Sequence, residues 1–163
     1  MGLLADMKQR LLDMTARKPS GWLGRFIYGR LSGGESGVVQ ALEALELSSD
    51  DTYLEIGQGG GLLLERVLRT VNSAAAIDHS ADMVALAQAN NRDAVEAGRL
   101  EVVQGQASEL PWSDATFTRG ACIAAFLFFD DPVAVLREIR RVLKPGGHFL
   151  IVTPAKKKGP LFP

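Results

Sequence analysis

An apolar run from Thr52 to Ile56 passes directly into Gly57-Gln58-Gly59-Gly60-Gly61, and a helical pattern follows from Leu62 to Val71. Few folds accept that succession. A strand that breaks into a glycine turn and re-forms as a helix lets backbone come close to a bound nucleotide-like ligand. Glycine permits φ > 0 and lacks the Cβ that would hold a ligand off. Glu55 stands near the end of a strand that otherwise reads as buried, and a buried charge is costly without a partner. A ligand carrying an ammonium group would supply one. Two familiar glycine signatures do not fit. Gly57 and Gly59 match the first two positions of G-x-G-x-x-G, but Leu62 stands at the third, and no Lys-Ser or Lys-Thr follows as a P-loop requires.

The rest of the chain supports a repeating strand–helix pattern. Helical spacing is read over 3–16, over 22–31 with Trp22, Leu23, Phe26 and Ile27 on one side, and over 35–47. After the glycine helix, Ala74 to Ile77 reads as a second strand closing at Asp78. Ser80 then caps a helix predicted to run to about Ala97, with Gly98 as its stop. Leu100 to Val103 is a third strand and Phe117 to Ala124 a fourth. Asp131-Pro132 opens a helix over 133–143, Pro145-Gly146-Gly147 ends it, and His148 to Thr153 is a fifth strand. Such alternation predicts an α/β fold with a parallel sheet covered on both faces, whose ligands bind at the carboxyl ends of the strands. Glu55, the 57–61 loop, Asp78, Gln106 and Ala124 all fall at or beyond strand ends.

Composition sets outer bounds. A net charge of −1 gives no electrostatic footprint for nucleic acid, and the single cysteine, Cys122, excludes an internal disulfide framework and a cysteine-only zinc site. No apolar run approaches the ~18 residues of a membrane span. Asp6 interrupts any secretory pattern at the start. A soluble cytoplasmic protein with no resident metal is the expectation. Asp78 can accept both hydroxyls of a ribose or simply face the dipole of the next helix. His79 reads equally as a surface residue or as a ring along an adenine face. Met83 reads as core or as packing on the same base. Cys122 reads as core rather than nucleophile.

Three ordered segments carry a resemblance. Glu55-Ile56-Gly57-Gln58-Gly59 has the form E-x-G-x-G. Gly105-Gln106-Ala107-Ser108-Glu109-Leu110-Pro111-Trp112 follows G-D-A-x-x-L-P-[FW], with glutamine for the acid. Leu136-Arg137-Glu138-Ile139-Arg140-Arg141-Val142-Leu143-Lys144-Pro145-Gly146-Gly147 matches L-x-E-x-x-R-V-L-K-P-G-G. Over roughly residues 50–154 the chain resembles the class I S-adenosylmethionine (SAM)-dependent methyltransferases of the small-molecule group that includes the ubiquinone-biosynthesis type.

The resemblance implies a Rossmann-like three-layer sandwich with a five-stranded parallel sheet in the order 3-2-1-4-5. It would comprise an N-terminal helical cap (1–47), a SAM-binding core (48–154) and a short tail (155–163). It implies that Glu55 and the loop Gly57, Gln58, Gly59 and Gly61 hold the methionine part of SAM, and that Asp78 holds the ribose. Gln106 and Ala107 would take the adenine, with His79 and Met83 beside it. Ile123 and Ala124 would offer backbone to the methionine amine, and Trp22, Phe26 and Tyr28 would cap the pocket. The activity implied is transfer of the SAM methyl group to a small-molecule or lipid-like acceptor, leaving S-adenosylhomocysteine. The alternative is a SAM-binding domain that is non-catalytic or needs a partner. No catalytic base is identified. Gln106 and Thr118 depart from the family by replacing acids, and the glutamine predicts weaker cofactor affinity. The family normally continues beyond the fifth strand with a helix and two more strands. The fifth strand is therefore expected to form an apolar edge, covered by a second chain as in a homodimer. Membrane contact through Trp22 to Tyr28 is the less favoured expectation.

Overall fold

The computed structural model describes residues 34–153. Helix α1 (Gly34–Leu45) leads into strand β1 (Thr52–Ile56), then helix α2 (Leu62–Val67) and strand β2 (Ser73–Asp78). Helices α3 (Ala81–Asn90) and α4 (Arg92–Glu96) precede β3 (Leu100–Gln104). Strand β4 (Phe117–Ile123), helix α5 (Pro132–Val142) and β5 (Leu143–Val152) complete the described chain. The predicted helices over 3–16 and 22–31 lie outside the described residues, as do Tyr28 and the tail.

All strand pairings are parallel, and the sheet runs β3-β2-β1-β4-β5, the order expected from the resemblance. Alternate side chains of the central strand serve opposite layers. Tyr53 packs with Val38, Ala41 and Leu45 of α1 and with Leu63, Leu64 and Val67 of α2. Leu54 and Ile56 pack on the other face with Val135, Ile139 and Val142 of α5. Glu55 follows Tyr53 by two positions, so it points into the α1–α2 layer. Both faces are covered, which explains why β1 is buried almost throughout.

Three elements differ from the sequence reading by more than two residues. The helix predicted from Ser80 to about Ala97 is two helices. Asn91 leaves helical geometry (φ −119°) and its buried side-chain amide donates to the Ala87 carbonyl and the Gly61 carbonyl. Asparagine competes with the helix by bonding backbone, and here it wins. The glycine helix stops at Val67 rather than Val71, in a tight turn of Leu68 to Thr70. The fifth strand begins at Leu143, not at His148. Phe117 pairs with Leu143 and Arg119 with His148, so Lys144 to Gly147 form an excursion within the strand rather than a separate turn. Gly146 takes φ +78° at its tip.

The two replaced acids have different surroundings. Thr118 lies early in β4, away from the carboxyl ends. Its hydroxyl donates to Asp51 at 2.6 Å and accepts the Thr52 N–H at 3.0 Å. Asp51 thus provides the carboxylate from the neighbouring loop, 3.9 Å from Arg119. Burial alone would raise the Asp51 pKa, but bonds from Thr118 and Ser48 and the Arg119 charge outweigh it and hold it low. Gln106, by contrast, is exposed at the carboxyl end, just past β3.

Candidate cofactor site

The Gly57–Gly61 loop owes its shape to close packing. Gly57 sits at φ +71°, and a Cβ there would come within 2.5 Å of the Ala125 side chain. Its N–H extends the β1–β2 ladder to the Ile77 carbonyl at 2.8 Å. Gly61, at φ +76°, starts α2, and a Cβ would meet Asn91 at 2.7 Å. Any other residue at either position would be strained and crowded at once.

The loop is held from outside by two residues that the sequence reading passed over. Asn90 donates to the Gly60 carbonyl at 2.8 Å and Asn91 to the Gly61 carbonyl at 3.2 Å. Consecutive asparagines inside an apparent helix were the available signal, because asparagine is a poor interior helix residue.

Asp78 is buried, and both of its oxygens are engaged. One accepts the Gly59 N–H at 3.2 Å, and the other accepts the Ser80 N–H at 2.9 Å with His79 Nδ1 at 3.3 Å. The oxygen that accepts only the Gly59 N–H still has capacity for a further donor. The Gly105 N–H bonds the Asp78 carbonyl at 3.0 Å, which brings Gln106 and buried Ala107 beside the end of β2.

Glu55 is 3% exposed, and its Oε2 finds no hydrogen-bond partner among the described residues. Burial pushes its pKa up to about 8. The nearby Tyr53 hydroxyl offsets part of the rise, and the Asp78 charge adds to it. The Tyr53 hydroxyl falls short of a hydrogen bond, since it too is unpartnered among the described residues. Gln58 is buried beside this layer with both amide atoms unpartnered. A cavity of about 160 Å³ opens here. Gly37, Val38 and Ala41 of α1 line one wall, Glu55, Gly57, Gln58 and Ile123 the floor, and Met83, Leu86 and Asn90 the far end.

Of the residues predicted for the site, Glu55, Gly57, Gln58, Met83 and Ile123 therefore share one cavity. Gly59 and Gly61 shape the loop above it. Asp78, His79, Gln106, Ala107 and Ala124 lie outside its lining, along the adjoining strand ends. Ala124 has φ +60°, uncommon for a residue with a Cβ, and its N–H bonds the Val152 carbonyl at 2.8 Å. Only its carbonyl remains for a ligand. Cys122 is fully buried, and burial with the Glu55 charge nearby pushes its thiol up to about 12, so it is a core residue.

The motif around Glu138 and Arg141 serves a separate purpose. Arg141 makes five hydrogen bonds: two to the Glu138 carboxylate, one to Asp114, and one each to the carbonyls of Leu110 and Trp112. Glu138 also accepts the Leu110 N–H at 2.8 Å. The pair clamps the loop that follows Gln106 and Ala107, which explains why L-x-E-x-x-R and L-P-W occur together.

A family model described as a methyltransferase domain matches residues 54–151. A ubiquinone biosynthesis O-methyltransferase from Xanthomonas euvesicatoria is 33% identical over 105 residues, covering 61% of this chain and 41% of that protein. Among solved structures, the YcgJ protein from Bacillus subtilis is 30% identical, with a TM-score of 0.64 over 71% of this chain and 49% of that one. A SAM-dependent methyltransferase from Aquifex aeolicus is 25% identical, with a TM-score of 0.67 over 81% of this chain and 72% of that one. The chain thus spans less than half the length of the curated relative it matches. The glycine loop, the sheet order and these matches agree, and the chain belongs to the class I SAM-dependent methyltransferase family, whose cofactor is SAM.

Proposed function

We propose that the chain forms the cofactor-binding part of an enzyme that transfers the SAM methyl group to a small-molecule acceptor. One observation carries the reading: a buried carboxylate, Glu55, has an oxygen, Oε2, with no hydrogen-bond partner among the described residues, and it lines a cavity with the glycine loop at the carboxyl edge of a parallel sheet. A carboxylate in that position is poorly explained by folding and well explained by a cationic ligand. Glu55 would take the ammonium, the glycine loop the methionine backbone, and Asp78 the ribose hydroxyls. Gln106 and Ala107 would meet the adenine, with His79 along its face and Met83 beneath. The carbonyls of Ile123 and Ala124 add acceptors for the amine, and the N-terminal segment with Tyr28 closes the pocket.

When bound, SAM supplies an activated methyl group with a good leaving group. The protein's task is then alignment and exclusion of water rather than acid–base chemistry. No described residue stands out as a base. Beyond β4, Leu127 is exposed and Phe126, Phe128 and Phe129 are half-buried. This apolar segment follows Ile123 and Ala124 in the chain, with Phe126 and Phe129 packed on the α5 face, and its exposed Leu127 supports a lipid-like or aromatic acceptor. Among the described residues no helix is long and apolar enough to cross a membrane, in keeping with a cytoplasmic enzyme. The β5 edge has no outer neighbour in the described sheet, and a second copy of the chain covers it in this reading. Sedimentation at micromolar concentration tests that contact; a monomer would refute it.

Calorimetry with SAM and S-adenosylhomocysteine tests the cofactor site, with micromolar binding expected. A screen of apolar hydroxylated acceptors for S-adenosylhomocysteine release then tests the activity. Binding without turnover on any acceptor would overturn the transferase reading and leave a binding domain.

A further inference from the structure

Tyr53 is fully buried, and its hydroxyl has no hydrogen-bond partner among the described residues. Its ring packs in an apolar layer with Val38, Ala41 and Leu45 of α1 and with Leu63, Leu64 and Val67 of α2. A phenylalanine would fill that layer without burying an unpaired hydroxyl, which costs free energy. Packing therefore accounts for the ring and leaves the oxygen unexplained. Tyr53 is not among the described residues that line the cavity, so the hydroxyl is not placed to meet a ligand itself. Beside it is Glu55, two positions on and on the same side of β1.

The Glu55 carboxyl needs what the hydroxyl offers. Its Oε2 is closed off from solvent and unpartnered among the described residues. The other titratable groups around it do not supply a donor. Asp78 on β2 is a second carboxylate, already engaged by Gly59, Ser80 and His79. Cys122 on β4 packs in the opposite layer. Helices α1, α2 and α3 bring no titratable side chain to the described cavity lining. Burial keeps Glu55 protonated in the free protein up to about pH 8. A cationic group entering the cavity favours the carboxylate. As that charge forms, a phenolic O–H beside it changes from an idle group into a charge-assisted donor. We infer that Tyr53 is a positioning residue for cofactor binding, its hydroxyl donating to the Glu55 carboxylate from behind and holding the charged form toward the cofactor's ammonium. The inference rests on the cofactor reading above. It goes beyond that reading by giving a role to a side chain that touches no ligand, and by making affinity depend on pH.

The sign follows from the proton. Affinity rises with pH while Glu55 of the free protein loses its proton, and levels off once it is ionised. Removing the Tyr53 hydroxyl moves that point upward, so the loss is large below it and small above. Calorimetry with S-adenosylhomocysteine is run at pH 7 and pH 9 on the wild type and on Tyr53→Phe. The ratio of the two affinities at each pH cancels the titration of the ligand's own amine. The variant is expected to bind about tenfold more weakly at pH 7 and only about twofold more weakly at pH 9, as for a midpoint raised by about one pH unit. In a Glu55→Gln background the same substitution should change affinity by less than about twofold, because no carboxylate is left to hold. Unliganded Tyr53→Phe should melt at an equal or higher temperature at pH 7, since an unpaired buried hydroxyl has been removed. An equal loss at both pH values, no loss at either, the same loss in the Glu55→Gln background, or a variant that folds less well would each overturn the inference and leave Tyr53 a packing residue. A wild type that binds S-adenosylhomocysteine at neither pH would instead bring down the cofactor reading itself.

Discussion

Two charged clusters lie at opposite ends of the sheet, Arg141 beside the amino ends of β4 and β5 and Glu55 at the carboxyl end of β1, and are built on opposite plans. Around Arg141 the polar groups are matched: its guanidinium bonds two carboxylates and two carbonyls, and Glu138 holds both Arg141 and a backbone N–H. Arg141 lowers the Glu138 pKa, against a smaller opposing effect of burial. Around Glu55 the plan is reversed. The carboxyl is more deeply buried and lacks a partner on Oε2, and burial raises its pKa. A cluster that satisfies itself stabilises the fold and has little left for a ligand. A cluster that leaves buried atoms idle destabilises the free protein and holds those atoms ready for something that enters. The two pKa shifts run in opposite directions, as expected of a self-satisfied structural cluster and of a candidate ligand site.

The comparison breaks first at Glu55, where the largest effect is expected. Unfolded Glu55 titrates near its ordinary 4.5, and folded Glu55 near about 8. Between those values the folded state keeps a proton that the unfolded chain has lost. This contribution is therefore fully present below pH 4.5, falls as pH rises, and is gone above pH 8. Glu55→Gln mimics the protonated form at every pH. Chemical denaturation should find the variant close to wild type near pH 4.5 and more stable by up to about 4 kcal/mol at pH 8. The same variant should bind S-adenosylhomocysteine at least about tenfold more weakly, because a charged partner for the ammonium is lost. A flat stability difference across that range would place a hidden cation against Glu55.

Arg141→Met should have the opposite signature. Loss of its bonds is expected to destabilise the fold by about 2–3 kcal/mol at neutral pH, since charge-assisted bonds are the stronger kind. Affinity for S-adenosylhomocysteine should move by less than about threefold; a larger loss would show that the 110–114 loop carries a cofactor contact. The smallest effect is expected at Gln106. Gln106→Asp restores a charged acceptor at an exposed position and should tighten cofactor binding by about 1 kcal/mol, with no measurable change in melting temperature. Equal affinity would show that Gln106 does not reach the adenine.

The strand–loop–helix at 52–67, the sheet and its parallel order were legible before the structure. The elements and the parallel sheet rest on local signals repeated along the chain, namely short apolar runs, glycine turns and amphipathic helices, whereas the strand order came from the family resemblance. What escaped depends on pairing across distance. Nothing local says that Asn91 reaches the Gly61 carbonyl 30 positions back, so the helix from Ser80 was read as unbroken. Nothing local says that Glu138 and Arg141 grip the loop at Leu110, although both motifs were recognised separately. The burial of Glu55 was anticipated from its place in an apolar strand. Gln58 was placed in the site by the resemblance, but the burial of its amide, unpartnered among the described residues, was not legible locally.

The asparagine pair at the α3–α4 break ties the 57–61 loop to a helix from a different crossover. Loop and break should therefore open and close together as a single cooperative patch in hydrogen exchange. Heat or denaturant that frees the amides at 91 would release the glycines in the same event, and occupancy of the pocket would slow both.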